Sequence, residues 1–273
     1  MPTHTDHAPD SLRFGRPPSI LIEARFWRYG LYRGYLNLVS DASKYHLGWL
    51  WWILEPLAMT GVFFVVFTFI RPRGEEFVYF LIVGVTAWLW FSNGVGNATQ
   101  SLNTAKGLIL QMKVPKPIFP VISAITVTYK QVFVYGILLT VLGTISGPSV
   151  SWFVLPVLLT VEFLLIVACA LTVAFLCAWL PDTRFIVVSG LQLMMFCSGI
   201  FFDIDSFPPA AQDWFRLNPM AVLLEQYRLV LLDGLLPDFL WCAAVAGVSG
   251  AWITAMALAY RYYDQQLTRR IIS

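Results

Sequence analysis

Two charged residues lie deep inside long apolar stretches of this sequence, where an unpaired charge is costly. Lys130 lies 17 residues before Gly147, and Glu162 lies 15 residues after it. Gly147 falls in a short uncharged turn, so an antiparallel helix hairpin would put both charges about 25 Å from the turn, at about 1.5 Å per residue. We expect either that the two charges pair or that both line a hydrated pathway.

A third charge, Glu55, lies one turn inside another apolar stretch, after a cluster of tryptophans in the segment KYHLGWLWWILEP. Trp49 and Trp52 are typical of the aromatic belt at a membrane interface. The carboxylate of Glu55 is favoured near the first amides of a helix by the helix dipole. Either these residues anchor and cap the helix, or they form a gate at its start, and the sequence supports both interpretations equally.

Basic residues precede this segment on a predicted amphipathic helix. Arg25 and Arg33 lie opposite an apolar stripe, and Arg28 lies beside it. The stripe recurs at helical spacing and comprises Ile20, Ala24, Trp27, Leu31, Tyr35 and Leu38. This pattern is typical of a helix in the membrane interface. It is either a simple anchor or a basic collar that meets anionic, lipid-linked groups.

Two further segments have the composition of protein contacts. The first, from Ser101 to Lys113, predicts a short amphipathic helix that docks into a groove on a partner or rests on the membrane. Its informative members are Leu102, Lys106, Leu108 and Ile109. The second is the turn Leu180–Arg184, which contains Asp182 and is either ordinary turn chemistry or another partner contact.

The elements that must position these residues are membrane-spanning helices. The chain has 273 residues, 58% of them apolar and only 12% charged, with a mean hydropathy of +0.68, whereas soluble domains carry about 25% charged residues. Six apolar runs have roughly the 20-residue length that crosses a bilayer. They are Trp49–Ile70, Phe77–Gly96, Pro120–Leu142, Trp152–Leu180, Phe185–Phe202 and Phe239–Tyr260. The sequence therefore predicts an all-α polytopic membrane protein with six transmembrane helices.

The distribution of Lys and Arg predicts the orientation of these spans. With the N-terminus inside, the cytoplasmic stretches hold 13 of these residues and the outer stretches hold 4, so the positive-inside rule puts both termini in the cytoplasm. Residues 1–19 lack the apolar core of a signal peptide and are predicted to be a disordered cytoplasmic tail. An interface helix with its lead-in (20–48), a six-span domain (49–262) and a cytoplasmic tail (263–273) follow.

The outer segment before the last span, residues 203–238, is long and semi-polar. Its second part, Met220–Leu232, is too apolar for a free loop and too short to span, so we predict a re-entrant or interfacial helix. Asn218 can cap this helix, with Pro219 at its first position. The charged residues of the predicted helix are Glu225 and Arg228.

The sequence holds no recognisable catalytic or metal-binding motif. It has no GxxxxGK[ST] loop for ATP phosphates, no HExxH or GxSxG motif, and no Cys/His cluster. The cysteines lie singly in apolar segments and are interpreted as small buried hydrophobic residues. We therefore expect no catalytic residue, metal site or cofactor in this chain, and no binding of nucleic acid.

The order of these features resembles the membrane subunit of type-2 ABC exporters. KYHLGWLWWILEP (Lys44–Pro56) resembles that family's approach to span one, LPDTRFI (Leu180–Ile186) its inner turn between spans four and five, and FRLNPMAVLLEQYR (Phe215–Arg228) its outer element. The resemblance covers about residues 20–262. Within the family, the chain is most similar to the polysaccharide-export branch, and there to the capsule polysaccharide export permeases of Gram-negative bacteria.

This resemblance implies a homodimeric channel in the bacterial inner membrane, with ATP and Mg bound by two copies of a separate ATPase subunit. It also implies a periplasmic polysaccharide copolymerase or adaptor, and a lipid-linked, acidic capsular polysaccharide as substrate. The family's coupling to the ATPase corresponds to Ser101, Leu102, Lys106, Leu108, Ile109, Lys113, Asp182 and Arg184. Its contact with the substrate headgroup corresponds to Arg25, Arg28, Arg33 and Lys44.

Other functions fit parts of the same pattern. Exporters of O-antigen, teichoic acid, drugs or lipids share the family's layout, and a drug or lipid exporter would favour a lateral hydrophobic cleft. An intramembrane transferase would need converging nucleophilic, acid–base or metal-binding residues, and none is found in the sequence. A secondary transporter would typically have paired broken spans or an internal repeat, and neither is visible.

Overall fold

The computed structural model describes residues 24–44, 48–70, 76–111, 114–145 and 147–272, and these residues are mostly helical. In chain order the α-helices are α1 Ala24–Lys44, α2 Trp51–Ile70, α3 Glu76–Ala98, α4 Ser101–Thr104, α5 Lys106–Gln111, α6 Ile118–Ile145, α7 Leu155–Trp179, α8 Thr183–Cys197, α9 Pro209–Arg216, α10 Pro219–Leu231, α11 Phe239–Tyr262 and α12 Asp264–Ile272. Short 3₁₀ helices cover Gly48–Leu50, Val150–Val154 and Ile204–Ser206. No β-strand occurs in the described ranges, and the predicted all-α class is confirmed.

Five of the six predicted spans coincide with helical segments that are long and apolar enough to cross a membrane. These segments are Gly48–Phe67, Glu76–Ala98, Ile118–Ile145, Val150–Trp179 and Phe239–Tyr262. The remaining predicted span, Phe185–Phe202, corresponds to α8, an apolar helix of only 15 residues. A helix of this length extends about 22 Å, less than the roughly 30 Å of a hydrocarbon core, so the sixth span stays a prediction.

The core of the bundle forms around α3, which packs against α6, α7 and α10. A Cβ atom on Gly94 would lie 2.6 Å from Ile166 of α7, so the missing side chain permits close helix packing. Across the contact with α6, Gln131 Nε2 donates to the Thr86 carbonyl at 3.0 Å. In contrast, only 11% and 17% of the residues in the most apolar stretches of α2 and α11 are buried, as expected of helices that face lipid or another protein.

The helix α10 lies inside the bundle, against α3 and α7, and has only 13 residues. Its first turn confirms the predicted cap, because the Met220 N–H donates to Asn218 Oδ1 at 3.0 Å and Pro219 takes the first helical position. Most of its side chains are buried. Its bounds, Pro219–Leu231, agree closely with the predicted helix, while a re-entrant path through a membrane stays a prediction.

The helix α1 packs on α6 through glycines, and this face differs from the predicted apolar stripe. Cβ atoms on Gly30 and Gly34 would lie 3.3 and 2.7 Å from Ile125 of α6. Of the stripe, Leu31 and Tyr35 are 46% and 54% exposed. Between helices in a membrane, small residues set the close contacts and apolar side chains gain little by leaving lipid. The exposed stripe is compatible with the predicted position in the interface.

The predicted C-terminal tail, 263–273, contains the packed helix α12. Leu267 and Ile271 are buried, and the helix lies against α5 and α7. The buried ammonium group of Lys116 forms an ion pair with Asp264 and donates to its carbonyl at 2.9 Å. This end of the chain is therefore joined to the segment between α5 and α6, while the predicted tail 1–19 lies outside the described residues.

Candidate functional site

Two adjoining cavities lie among α1, α2, α3 and α6. The larger, about 600 Å³, is here named the tryptophan cavity, and its lining includes Trp51, Trp52, Glu55, Asn93 and Gln131. The smaller, about 430 Å³, is named the collar cavity, and its lining includes Arg33, Asn37, Ser101, Leu108 and Ser123. Asp41, Asn97, Val127 and Lys130 line both. The two cavities therefore meet at these four residues.

Lys130 lies at this junction and joins α6 to α1. Its ammonium group forms an ion pair with Asp41 Oδ2 at 3.0 Å and lies 5.7 Å from the centre of the Trp52 ring. The side chains of Lys130 and Asp41 are 24% and 34% exposed. Of the two alternatives, the pair of Lys130 with Glu162 is therefore wrong, because the partner of Lys130 comes from α1, 89 residues earlier in the chain.

Glu162 lies in α7, on a side that packs towards α10 and α6. It is fully buried, and its carboxyl oxygens make no hydrogen bond of normal geometry with the described residues. Tyr135 and Tyr227, whose rings stack 5.7 Å apart, are the polar side chains that interact with it. Counting residues from the turn predicts depth along a hairpin but not direction around each helix, which is why the expected pair with Lys130 does not form.

The tryptophans at the start of α2 lie at the cavity wall and against α6. Trp51 and Trp52 line the tryptophan cavity, and Trp49 and Trp52 both pack edge-on against Phe133 of α6, with ring centroids 5.7 and 6.1 Å away. Glu55 is half-buried in the wall of the same cavity. It forms no ion pair within the part of the chain that the structure describes. Trp52 and Glu55 therefore lie together in the wall of this cavity, and the choice between an anchor and a gate stays a prediction.

A third cavity, of about 780 Å³, opens on another side of α3, towards α2 and α8. Its polar lining is Ser92, Asn93, Asn97, Gln100, Arg184 and Gln192. Asn93 and Asn97 also line the tryptophan cavity, so the polar face of α3 is common to both. The sequence analysis missed this face, although the spacing of four and then three residues from Asn93 to Asn97 and Gln100 is a helical pattern.

The predicted coupling segment is two short helices rather than one. A single residue separates α4 from α5. Leu102 is buried in the core, Leu108 lines the collar cavity, and Ile109 is partly buried against the core. Leu110 is instead 56% exposed. Leu102, Leu108 and Ile109, which were expected to meet a partner, thus lie on the inner side of the segment, whereas Lys106 is half-buried.

The start of α8 meets the end of α3 beside this segment. Arg184 Nε lies 2.8 Å from the Gln100 side-chain amide, whose oxygen faces it when the amide is oriented to accept. Asp182, the residue before α8, is exposed. Arg184 therefore contacts the residue immediately before Ser101.

The basic collar is only partly described. Arg33 lines the collar cavity, and Arg28 is exposed on the same helix. The side chains of Arg25 and Lys44, and all of Lys113, lie outside the described residues. In the described ranges, no three His, Cys, Asp or Glu side chains form a group that could hold a metal ion.

The predicted outer residues lie apart from the cavities and join α10 to the chain that follows α8. Arg228 donates to the carbonyls of Gly199 at 2.8 Å and Ile200 at 3.0 Å, and its guanidinium lies 3.4 Å from the centre of the Phe80 ring. Glu225 lies 3.7 Å from Arg216 in a looser ion pair. Asn218 Nδ2 donates to Ser198 Oγ at 3.0 Å, and Pro219 begins the helix.

Comparison with known proteins identifies homologous transporters. The chain is 28% identical over 252 residues to the O-antigen export system permease protein RfbA of Myxococcus xanthus, which covers 88% of this chain and 96% of that protein. It is 26% identical over 225 residues to the polysialic acid transport protein KpsM of Escherichia coli, covering 80% and 84%. It is 24% identical over 208 residues to the capsule polysaccharide export inner-membrane protein CtrC of Neisseria meningitidis serogroup B, covering 70% and 74%. No protein-family model matches the chain.

These relatives confirm the resemblance to polysaccharide-export permeases that the sequence motifs indicated. Together with the five apolar helices that can span a membrane, they assign the chain to the bacterial inner membrane as a multi-pass protein. O-antigen and capsule permeases both occur among them, so the comparisons support the two kinds of transporter equally.

Proposed function

Because its homologues are permease subunits of ABC polysaccharide exporters, we propose that this chain is the permease of an ATP-driven exporter that moves a lipid-linked polysaccharide from the cytoplasm to the periplasm. The observation that carries the proposal is a row of three cavities, each with several polar side chains in its lining, which adjoin through Lys130, Asn93 and Asn97 inside an apolar bundle. A glycan needs such a path, because hydroxyl groups without hydrogen-bond partners are costly in hydrocarbon.

The collar cavity is the proposed receiving site for the headgroup of the substrate. Arg33 lines it, and Arg28 lies exposed about one and a half turns earlier on α1. Arg25 and Lys44 extend the same basic helix towards its two ends. Guanidinium and ammonium groups at a membrane surface attract phosphate and carboxylate, so this side of the protein favours an anionic, lipid-linked end.

The tryptophan cavity is the proposed site for the first sugars behind that headgroup. Trp51 and Trp52 offer apolar faces against which the C–H faces of sugar rings can pack. Indole side chains combine a large contact area with few rotatable bonds. Glu55 and Asn93 offer hydrogen-bond partners for hydroxyl groups. A volume of about 600 Å³ lies within the range of roughly 300–1,000 Å³ that is usual for small-ligand sites.

ATP hydrolysis belongs, in this proposal, to a separate ATPase subunit that is present in two copies and binds ATP and Mg. Its docking surface would be formed by α4 and α5, with Lys106, Lys113 and the exposed Leu110, and by Asp182 before α8. The contact between Arg184 and Gln100 joins this surface to the polar face of α3. A movement imposed on the docking surface would therefore be transmitted to the cavity walls.

A second copy of the chain is the proposed partner beside the third cavity. The faces of α8 that flank it carry strongly exposed apolar side chains, including Phe185, Ile186 and Leu193 at 70%, 72% and 69% exposure. The polar Gln192 lies on the cavity side of the same helix. Two copies that bury these faces against each other would enclose the third cavity as a channel, with polar groups towards its interior.

Two classes of cargo fit this function. A capsule-type system would export an acidic polysaccharide and transfer it to a periplasmic copolymerase or adaptor. An O-antigen-type system would export the glycan of a lipopolysaccharide. Teichoic acid is a further cell-surface polymer that such an exporter would carry. All share a long glycan on an anionic lipid anchor, which is the feature that the collar and tryptophan cavities together would recognise.

Deletion of the gene in its native host tests the proposal. We expect the surface polysaccharide to disappear and its lipid-linked form to accumulate inside the cell, as measured by immunoblotting of surface glycan and by extraction of glycolipids. Loss of O-antigen alone or of capsule alone identifies the cargo. Export that persists after inactivation of every candidate ATPase subunit, or ion-coupled transport by the purified chain alone, would contradict the proposal.

A further inference from the structure

Lys130 is the cation that both cavities share, and its depth in α6 is notable for a charged residue. It lies 12 residues after Ile118, the first residue of α6, which is about 18 Å along the helix axis. Charged side chains at such depth pair with other groups or face water, and they mark binding sites or pathways more often than other residues do. The counter-ion, Asp41, comes from the peripheral helix α1.

The charges around this ion pair are distributed unequally. Apart from the pair, the described lining of the collar cavity holds one further charged residue, the cation Arg33, whereas that of the tryptophan cavity holds the carboxylate Glu55. If Asp41 withdrew, two cations would face the collar cavity. An incoming anion would then be attracted to the collar side of Lys130 and repelled from the far side by Glu55.

The ion pair itself has the properties of an exchangeable contact. Both side chains are partly exposed in the cavities, and ion pairs of this kind contribute little to stability. A diphosphate headgroup carries more negative charge than one carboxylate and presents more acceptor oxygens, so it can compete for the ammonium group. The same exchange would release Asp41, while the contacts of Gly30 and Gly34 with Ile125 would still hold α1 on α6.

We propose that Lys130 is an anion-binding residue of the transport path, and that Asp41 holds the place that a phosphate or carboxylate of the substrate takes during transport. This inference rests on the proposed function and adds a specific binding residue to it. The bound anion lies between Lys130 and Arg33, on the collar side of the junction. The Trp52 ring beside the ammonium group then lies where the next sugar enters the tryptophan cavity.

Binding measurements on the purified complex of this chain with its ATPase subunit test the inference. The probes are vesicles that contain a polyprenyl diphosphate, vesicles that contain phosphatidylglycerol, soluble inorganic pyrophosphate, and soluble oligosialic acid as a carboxylate-bearing glycan. The probe whose affinity depends on Lys130 identifies the source of the anion: a lipid headgroup, a free phosphate or the glycan itself.

The variants Lys130→Gln and Asp41→Asn should have opposite effects. Loss of a charge-assisted hydrogen bond in Lys130→Gln should weaken binding of the recognised probe about tenfold or more. Removal of the internal competitor in Asp41→Asn should strengthen it about two- to fivefold. In the double variant, Asp41→Asn should give no such gain, because the ammonium group for which Asp41 competes is absent. Lys130→Arg, which keeps the charge, should retain binding and so separate charge from folding.

A matched control is Arg261→Gln, which removes one exposed cation at the end of α11, outside the three cavities, and should leave affinities unchanged. Equal affinity of the wild type and Lys130→Gln for all probes, weaker binding by Asp41→Asn, or no binding of any probe by the wild type would overturn the inference. Normal ATP-dependent export by Lys130→Gln also overturns it while leaving the proposed function intact. Absence of ATP-dependent glycan export by the wild-type complex would instead overturn the proposed function.

Discussion

The two ends of the bundle use their polar side chains in different ways. In the region of α10, Arg228 donates to two backbone carbonyls and Ser151 donates to the Val230 carbonyl at 2.8 Å, all inside the packed bundle. Around the cavities, Lys130 is partly exposed in a single ion pair, and Glu55 has none within the described chain. Buried, paired groups fix one arrangement, whereas partly exposed groups can exchange partners. These features favour an anchoring role for the first region and fit the proposed binding path in the second.

Replacing Arg228 with alanine should cause the largest loss of stability and sharpen this comparison. The change leaves the carbonyls of Gly199 and Ile200 without their donor and removes the guanidinium that packs on Phe80. Because buried acceptors would be left unpaired, we expect the free energy of unfolding to fall by about 3–5 kcal/mol. The measurement is the thermal unfolding midpoint of the detergent-purified protein.

Arg216→Ala is the matched control for this substitution. The Arg216 side chain is 29% exposed, and its ion pair with Glu225 is long, at 3.7 Å. Ion pairs of partly exposed side chains contribute about 1 kcal/mol or less each, so the unfolding midpoint should fall far less than in Arg228→Ala. If the two arginine variants unfolded at the same temperature, the bonds of Arg228 would not anchor α10, and the proposed contrast between the two ends would be lost.

In the anchoring region, the features that depend on neighbouring residues in the sequence could be predicted, whereas contacts between distant residues could not. Asn218 and Pro219 are adjacent in sequence and together specify the start of a helix. The carbonyl partners of Arg228 are 28 and 29 residues away, in a turn that follows Cys197. The apolar run that predicted a span to Phe202 continues through this turn, so composition alone could not indicate where α8 ends.

The cavities were less predictable from the sequence. In a membrane an apolar helix face can contact lipid as well as protein, so an apolar pattern does not indicate which face packs inside the bundle. The apolar stripe of α1 predicted which face avoids water, but Gly30 and Gly34 decide which face meets α6. That packing brings Asp41 to Lys130, a pairing that no sequence spacing indicates. The polar face of α3 could have been predicted from the helical spacing of Asn93 and Asn97, although neutral amides are a weaker signal in an apolar run than charges are.

Changing the contact of α1 with α6 should have an intermediate effect. In Gly34→Ala the new methyl group would lie 2.7 Å from Ile125 Cγ2, so α1 must shift, and overpacking of this kind costs about 1–3 kcal/mol. We expect a moderate fall in the unfolding midpoint and a clear fall in export, because α1 carries Arg33 and Asp41 in the cavity walls. The measurements are thermal unfolding and the amount of surface glycan.

Two companion variants decide the origin of this effect. Gly61→Ala in α2, where an added Cβ meets no atom within 4 Å, should leave stability and export unchanged. A second substitution, Ile125→Ala, should partly restore export to Gly34→Ala because it removes the group that the new methyl meets. Full export by Gly34→Ala alone would mean that the position of α1 is not important for the path.

The smallest effect on stability is expected for Glu55→Gln. Glu55 lines an open cavity without an ion pair in the described chain, so an amide of the same size should change the free energy of unfolding by less than about 0.5 kcal/mol. Export should nevertheless fall about tenfold, because an amide accepts weaker hydrogen bonds from sugar hydroxyls than a carboxylate does. A normal amount of surface glycan in this variant would show that Glu55 does not contribute to transport. An unfolding midpoint as low as that of Gly34→Ala would instead give Glu55 an anchoring role. The proposed contrast between fixed polar groups around α10 and exchangeable polar groups around the cavities would then be wrong.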